Sequence, residues 1–543
     1  MTKYIVVCGG VISGVGKGVA CASIGRIFKE YGFSVTAIKI DPYINCDAGT
    51  MRPTEHGEVW VTEDGGETDQ DLGNYERFLS QSIPKKNNIT TGQIYRDLIE
   101  KERKGEFLGE TVQFIPHVPD EIKKRIKESS KGFDISLIEI GGTVGDYENI
   151  PFLFAVKSLE KEIGKENIAY ILVTYLPVPS HIEEMKTKPT QLSIKLLTES
   201  GIQPDFILCR GKKPLDNARK RKIETYANIP SENIISMPDV TGENKPNTIY
   251  IIPLDLEKEN LGEKISKILN LKKIKEPNWE EWEKAVYRII QPKKEIDIAI
   301  VGKYLVTGDY KLTDSYVSVN EAIKHAGANS DVKVNITWLD SNKLDDLNTL
   351  QEKLSSFDGI IVPGGFGAHG VNGKINVIKY CREKNIPFLG LCFGLQLAVI
   401  EYARNICSIK DADSTEFTPD TKNNVIDIMP EQKKITSKGA TMRLGAYKAI
   451  LKEGTKTFEL YNKKEISERH RHRYEVNPEY HKILQDHGLI FSGVSENQAL
   501  VEFIEIPNHK FFIATQSHPE FKSSLLNPAP LFDGFVKACL QED

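Results

Sequence analysis

Two short patterns in this 543-residue chain carry residue types that can do chemistry. The first is Gly390-Leu391-Cys392-Phe393-Gly394, between the apolar run Phe388–Leu391 and a helical pattern. Glycines two residues either side of a cysteine permit a sharp strand-to-helix turn with the thiol at its apex. A helix N-terminus favours an anion there and supplies backbone N–H donors. A lone cysteine is ordinarily an inert core residue, and the flanking glycines set this one apart. Downstream, Gln516-Ser517-His518-Pro519-Glu520 places a histidine and a carboxylate at i and i+2, on one side of an extended backbone. Thiol, base and orienting carboxylate make a Cys392–His518–Glu520 triad. By itself a His-x-Glu is commonly surface decoration. Gly364-Gly365-Phe366-Gly367 follows Ile360–Val362 and offers backbone donors to an oxyanion, although alone it is a common glycine turn. The three together, in this chain order, are specific.

The second pattern is Gly9-Gly10-Val11-Ile12-Ser13-Gly14-Val15-Gly16-Lys17-Gly18, after the apolar run Ile5–Cys8 and before a helical segment from Val19 to Tyr31. Strand, glycine-rich turn, lysine and helix form a phosphate cradle: backbone N–H groups approach the oxygens and the lysine adds a point charge. The alternative is a structural glycine turn, which the Gly-Lys at a helix start argues against. The spacing is one residue longer than G-x4-G-K, and Gly18 stands where a Ser or Thr would bind Mg²⁺. Metal ligands must then come from elsewhere. Glu67, Asp69 and Asp71 lie in one acidic stretch, and Glu139 sits near the end of Ile135–Ile140, facing the crevice of a parallel sheet. Taken singly, each acid is an ordinary solvated group.

Short β-branched runs alternate with helical patterns in both halves, which predicts parallel sheets built from βαβ units. The first half has Val35–Ile40, Ile135–Ile140, Ala169–Val173 and Phe206–Leu208. The second has Ile296–Val301, Val332–Trp338, Gly359–Val362 and Phe388–Leu391. The length calls for more than one core at ~100–200 residues per domain. A Lys-rich stretch with a helical pattern from Trp279 to Ile290 marks the join. The expected division is 1–270, a linker helix at 271–293, and 294–543. The formal net charge of −5 gives no basic field for nucleic acid or an anionic membrane. No apolar run approaches the ~20 residues of a membrane span, and the N-terminus lacks a signal-peptide pattern. Eight cysteines without paired spacing predict neither a disulfide framework nor a cysteine zinc site. A reduced cytoplasmic setting follows, in which a nucleophilic thiol stays usable.

The second half resembles the class I, triad-type glutamine amidotransferases on its Gly-Gly-Phe-Gly turn, cysteine elbow and His-Pro-Glu. The first half resembles the synthetase domain of the CTP synthases. The residues that carry this are Lys39 to Asn45, His56 to Val59, Asp71 to Phe78, Glu139 to Asp146 and Lys186 to Gln191, with Arg469 to Glu475 in the second half. The resemblance implies an N-terminal P-loop-type parallel sheet with helices on both faces and a C-terminal α/β class I glutamine amidotransferase domain. It also implies a reaction in which UTP, ATP and glutamine become CTP, ADP, phosphate and glutamate.

Carried over position by position, Gly14, Val15, Gly16, Lys17, Gly18 and Val19 would hold ATP phosphates. Asp71 and Glu139 would hold Mg²⁺, and Arg210, Pro238, Asp239 and Val240 would meet the adenine side. Lys186, Thr187, Lys188, Pro189, Thr190, Gln191 and Lys222 would bind UTP. Ser13, Asp146, Tyr147 and Glu148 would serve CTP as feedback inhibitor. Gly365, Phe393, Gly394, Leu395, Gln396, Glu416 and Arg473 would hold glutamine, and Pro53, His56 and Val59 would form the ammonia gateway. The resemblance further implies a homotetramer with composite UTP sites and GTP as allosteric activator near Lys303. Two departures from the family pattern stand out. Cys8 replaces a usual threonine, and the stretch containing Leu305–Leu312 is longer, beside the GTP position. Two other readings are weighed against this one. A cobyrinate-type amide synthetase needs no UTP site, and Lys186 to Gln191 with Lys222 argue against it. A filament-forming or partitioning ATPase with a dead glutaminase is opposed by the intact triad residues.

Overall fold

The computed structural model describes residues 1–541 except 183, 304–305, 308–309, 312–313, 430–431 and 433–440. For 53–54, 306–307, 310–311, 314 and 347–349 it describes the backbone only. Leu305 and Leu312, which bound the longer stretch, therefore lie outside the described residues, as does the side chain of Pro53. Contacts divide the chain into two units: residues 1–47 with 71–286, and residues 48–70 with 287–543.

The first unit is built on seven parallel strands in the order Asn88–Thr90, Val35–Asp41, Ile135–Ile140, Lys3–Gly9, Ile168–Tyr175, Phe206–Gly211, Ile234–Pro238. Val35–Asp41 and Ile135–Ile140 are buried at every position. That is why their sequences run apolar without alternation: both faces of a parallel sheet are covered. The helix Ile150–Ile163 buries Phe152, Leu153, Val156 and Leu159, while Phe154 is 45% exposed. Trp282 anchors the helix Glu280–Ile290 to this unit, its indole N–H donating to the Tyr250 carbonyl at 2.7 Å. The division at 286/287 falls inside that helix.

The second unit has a nine-stranded mixed sheet. Five strands are parallel, in the order Val332–Asp340, Lys294–Gly302, Gly359–Val362, Phe388–Leu391, Phe512–Thr515. Four antiparallel strands extend it, ending on Arg443–Leu451 and Glu465–His472. Residues 48–70 were expected with the first part of the chain and instead cluster here. The physical reason is charge and ring packing. Glu63 and Glu67 pair with Arg469 and Arg471 of the last strand, and Trp60 packs edge-on to Phe521.

Candidate active sites

In each unit the chemical residues sit at the C-terminal ends of adjacent parallel strands, the position where α/β sheets bind ligands. In the first unit Lys39 lies opposite Glu139 across the sheet, and Val7, two residues before the glycine loop, lies opposite Glu139 on the other side. The Lys17 ammonium donates to the Gly142 carbonyl at 2.8 Å. Lys39 is the hub: its ammonium pairs with Asp71, with Glu139 at 2.9 Å and with Asp41 at 3.8 Å. Tyr75 donates its hydroxyl hydrogen to the other Glu139 oxygen.

A Cβ at position 18 would run into the Asp71 carboxylate. Gly18 is thus required where a Ser or Thr would otherwise stand, because Asp71 of the helix Asp71–Leu79 occupies that space. Burial raises the Asp71 carboxyl, but the charge and hydrogen bond of Lys39, then Lys17, outweigh it and hold it below the usual range. Burial, then the negative charge of Asp71, pushes Glu139 up. Burial likewise lifts Asp41, opposed by Lys39, to about 6. Burial lowers Lys17.

Two ammonium groups thus face three carboxylates, Asp41 and Glu139 buried and Asp71 partly exposed. Mg²⁺ takes one or two protein carboxylates together with phosphate oxygens, so the donors present suit it. Among the described residues, no group of three or more His, Cys, Asp or Glu side chains is arranged to hold a metal on its own.

Arg210 ties the loop to the candidate adenine-side residues: it donates to the Val15 carbonyl at 3.1 Å and to Asp239 at 2.6 Å. Pro238 ends the neighbouring strand and Val240 is buried behind it. The helix Lys188–Glu199 brings the UTP and CTP candidates together. Gly10 abuts its Ser193 and Gly145 its Leu196. Ser13, Asp146 and Tyr147 are exposed and Glu148 is half-buried. Lys186 is paired with Glu184 at 2.6 Å, and Lys222 is exposed on Asn217–Ala227. Thr190 is wholly buried, its hydroxyl hydrogen-bonded with Thr174 at 2.9 Å, so it supports the site from within the core.

In the second unit three motifs leave three neighbouring strands. Val362 is in register with Gly390, and Leu391 with Thr515, so the Gly-Gly-Phe-Gly turn, Cys392 and His518 converge. Cys392 adopts φ 51° and ψ −98°, a strained elbow. A Cβ at Gly394 would strike the Val362 carbonyl, and one at Gly390 would meet the Cβ of Ala514 at 2.8 Å, so the flanking glycines are needed for close packing. His518 Nδ1 lies 2.7 Å from Glu520. Burial works against its charge, but Glu520, then the Cys392 sulfur, hold the imidazolium up to about 10.

Around this centre, Glu416 accepts from the Gly367 N–H at 2.7 Å. Gln396 donates to the Tyr474 carbonyl at 3.0 Å and to Gln516 at 3.2 Å. Arg473 is held by Gln432 and Thr441 at 2.7 and 2.6 Å. Gly365 and Phe393 adjoin each other, and Leu395 is buried behind the elbow. Lys303 donates to the carbonyls of Phe366 and Gly367; burial, opposed by Glu416, lowers it to about 8. A cavity of about 220 Å³ opens on Cys392 and His518, and Val59 lines it. His56 is exposed at the end of Pro53–His56.

Several residues escape a reading of motifs. Gln516 donates to the Cys392 sulfur at 3.5 Å, and its place two residues before His518 was the available signal. Glu67, a metal candidate by sequence, is committed to Arg471 at 2.8 Å. The Lys374 ammonium is fully buried 5.4 Å from the Phe393 ring, and burial, then the charge of Lys303, presses it well below its ordinary value. A lysine on the apolar face of Val371–Lys384 was its trace in the sequence.

Comparisons with known proteins show the family. The family described as CTP synthase N-terminus matches residues 3–271, and glutamine amidotransferase class-I matches residues 311–538. The CTP synthase of Methanocaldococcus jannaschii is 54% identical over 546 residues, covering 99% of both chains. Those of Methanococcus maripaludis and Pyrococcus abyssi are 53% and 52% identical, each over 99% of this chain and over 100% and 98% of their own. The chain belongs to the CTP synthase family, and is a glutamine-hydrolysing ligase that uses ATP to convert UTP to CTP.

Proposed function

We propose that the two sites divide the reaction as follows. The glycine loop, Lys17 and Lys39 position the ATP phosphates, so that the uracil C4 oxygen attacks the γ-phosphorus and becomes a phosphate ester. Hydroxide is a poor leaving group from C4 and phosphate a good one, which is why ATP is needed. Phosphoryl transfer asks chiefly for positioning and charge neutralisation, which the two lysines supply. Asp71 and Glu139 would hold Mg²⁺, which supplies further charge neutralisation on the triphosphate.

In the second unit the Cys392 sulfur attacks the glutamine side-chain carbonyl. The Gly364–Gly367 turn and the Phe393 N–H face the oxyanion, and His518 gives the departing ammonia its proton. Water then cleaves the thioester to glutamate. Ammonia at neutral pH is mostly ammonium, and a phosphorylated uracil hydrolyses in water. We therefore take the ammonia to be channelled rather than released. The position of Val59 in the Cys392 cavity supports its role, with Pro53 and His56, as gateway. Ser13 with Asp146 to Glu148 would bind CTP as inhibitor, and Lys303 would face GTP. The exposed Phe154 and Ile150 support association into a tetramer. A cytoplasmic location completes the reading. Among the described residues no helix is long and apolar enough to cross a membrane.

The observation that carries the division is that one chain holds both a His518–Glu520 pair at an elbow cysteine and a separate lysine–carboxylate cluster at a phosphate loop. CTP formation from UTP and ATP tests it, with glutamine and then with an ammonium salt. Cys392→Ala should lose only the glutamine-driven reaction. Equal loss with both nitrogen sources would refute two sites.

A further inference from the structure

The segment 48–70 reaches the triad by two routes, one through Phe521 and one through Arg471, both of which line the cavity at Cys392. Its hairpin pairs Trp60–Val61 with Glu67–Thr68. The Trp60 indole is wholly buried, with its ring centroid 4.9 Å from that of Phe521 in an edge-on arrangement. Phe521 in turn stacks on the imidazole of His518, at 5.2 Å and 20°. Behind Trp60 stands Arg469, 5.2 Å from the ring. It donates to the Val61 carbonyl at 3.0 Å and to Glu63 at 3.1 Å. Lys522 takes the same Glu63 oxygen at 3.0 Å.

The second route begins at Glu67, whose side chain is fully buried and accepts from Arg471 Nε at 2.8 Å. The Arg471 guanidinium lies 5.3 Å from the ring of Phe366, inside the Gly-Gly-Phe-Gly turn. The backbone carbonyl of the same arginine accepts from the Cys392 thiol at 3.8 Å. One buried ion pair therefore fixes a residue that touches both the oxyanion turn and the nucleophile.

We propose that Trp60 and Glu67 are positioning residues for glutamine hydrolysis. Trp60 sets the plane of the His518 ring through Phe521, and Glu67 sets the oxyanion turn and the elbow through Arg471. The proposal rests on the reading of Cys392 as the glutamine nucleophile. Rings in contact constrain one another's orientation, and a buried carboxylate fixes a guanidinium in direction as well as place. Misplacement of a catalytic group by about 1 Å costs up to ~10²-fold in rate.

The test uses the full-length chain and compares wild type with Trp60→Leu, Trp60→Phe and Glu67→Gln. Glutamate release is measured for kcat and KM, beside ammonia-driven CTP synthesis. Trp60→Leu and Glu67→Gln should each lose on the order of 10- to 100-fold in kcat for glutamine. KM for glutamine and the ammonia-driven rate should stay within about threefold, and Trp60→Phe should recover most of the loss. Glu67→Gln is near-isosteric and carries the test should Trp60→Leu fail to fold. Unchanged glutamine turnover in Glu67→Gln would overturn the proposal. So would a parallel loss of ammonia-driven synthesis in every variant, which marks general damage. A wild-type chain that releases no glutamate would instead sink the Cys392 reading itself.

Discussion

The two chemical clusters are built alike and finished differently. Both stand at the C-terminal ends of adjacent parallel strands, and both keep most of their ionisable groups out of water, with Asp71 partly exposed. The triad is assembled: the imidazole is hydrogen-bonded to the carboxylate at 2.7 Å, and the Cys392 sulfur lies near enough to help hold it charged. The phosphate cluster is a set of charges balancing one another, with Lys39 shared among three carboxylates. A nucleophilic site carries its reacting atom on the protein and so can be assembled in advance. A phosphoryl-transfer site reacts two bound molecules, so its protein groups hold one another until those molecules arrive.

The largest effect should come from the second kind of site. Lys17→Ala and Asp71→Asn should each depress CTP formation by on the order of 10²–10³, whichever nitrogen source is used, because activation of UTP is common to both. Near-normal ammonia-driven rates in both variants would erase the contrast between the clusters.

Next comes the orienter of the triad. Glu520→Gln should slow glutamine hydrolysis by on the order of 10²-fold and leave ammonia-driven synthesis alone. Against burial, Glu520 and then the Cys392 sulfur raise the His518 pKa from 6.5 to about 10, so removal of Glu520 lowers it. A group whose folded pKa is raised contributes stability that is present below the unfolded value and fades as pH climbs through the folded one. The wild type should therefore lose stability between about pH 6.5 and about pH 10. The variant should lose less over that span, as calorimetry of the unfolding transition can show. Identical pH slopes would remove Glu520 as the source.

Glu148→Lys should weaken CTP inhibition by on the order of tenfold, with a smaller change in UTP affinity. An unaltered inhibition constant would detach the Asp146–Glu148 turn from product control. The smallest effect concerns assembly. ATP with UTP should shift a dilute sample from dimer towards tetramer and raise specific activity with protein concentration, because nucleotide that bridges subunits stabilises them by mass action. Sedimentation velocity is the measurement. A fully active monomer at every concentration would end the composite-site idea.

What could be read in the sequence follows the same contrast. The elbow, the glycine turn and His-Pro-Glu are local patterns, and strand register alone brings them together. The parallel sheets were legible because continuous β-branched runs such as Ile135–Ile140 have no polar face to turn outward. The fit of Gly18 against Asp71 was hidden, since nothing local announces that a side chain 53 positions away fills the missing Cβ. Nothing local separates the two aromatics of the helix Ile150–Ile163, yet Phe152 enters the core and Phe154 does not. Thr190, in a motif that reads as ligand-binding, spends its hydroxyl on Thr174. Least legible was segment 48–70, whose partners are arginines and a phenylalanine at the far end of the chain.

That separation has a consequence for the chain as it is made. The pair between Glu63 and Arg469 spans 406 positions, and Phe521 lies further still. At ~5–20 residues per second, the ribosome delivers Arg469 only tens of seconds after Glu63 has appeared. Throughout that interval Trp60 has no Phe521 to cover it and two carboxylates wait for their guanidinium partners. The glutaminase thus stays unfinished until residues 469–521 have been made, and a chain stopped short of them lacks the ring and the guanidinium groups that hold Trp60, Glu63 and Glu67 in place.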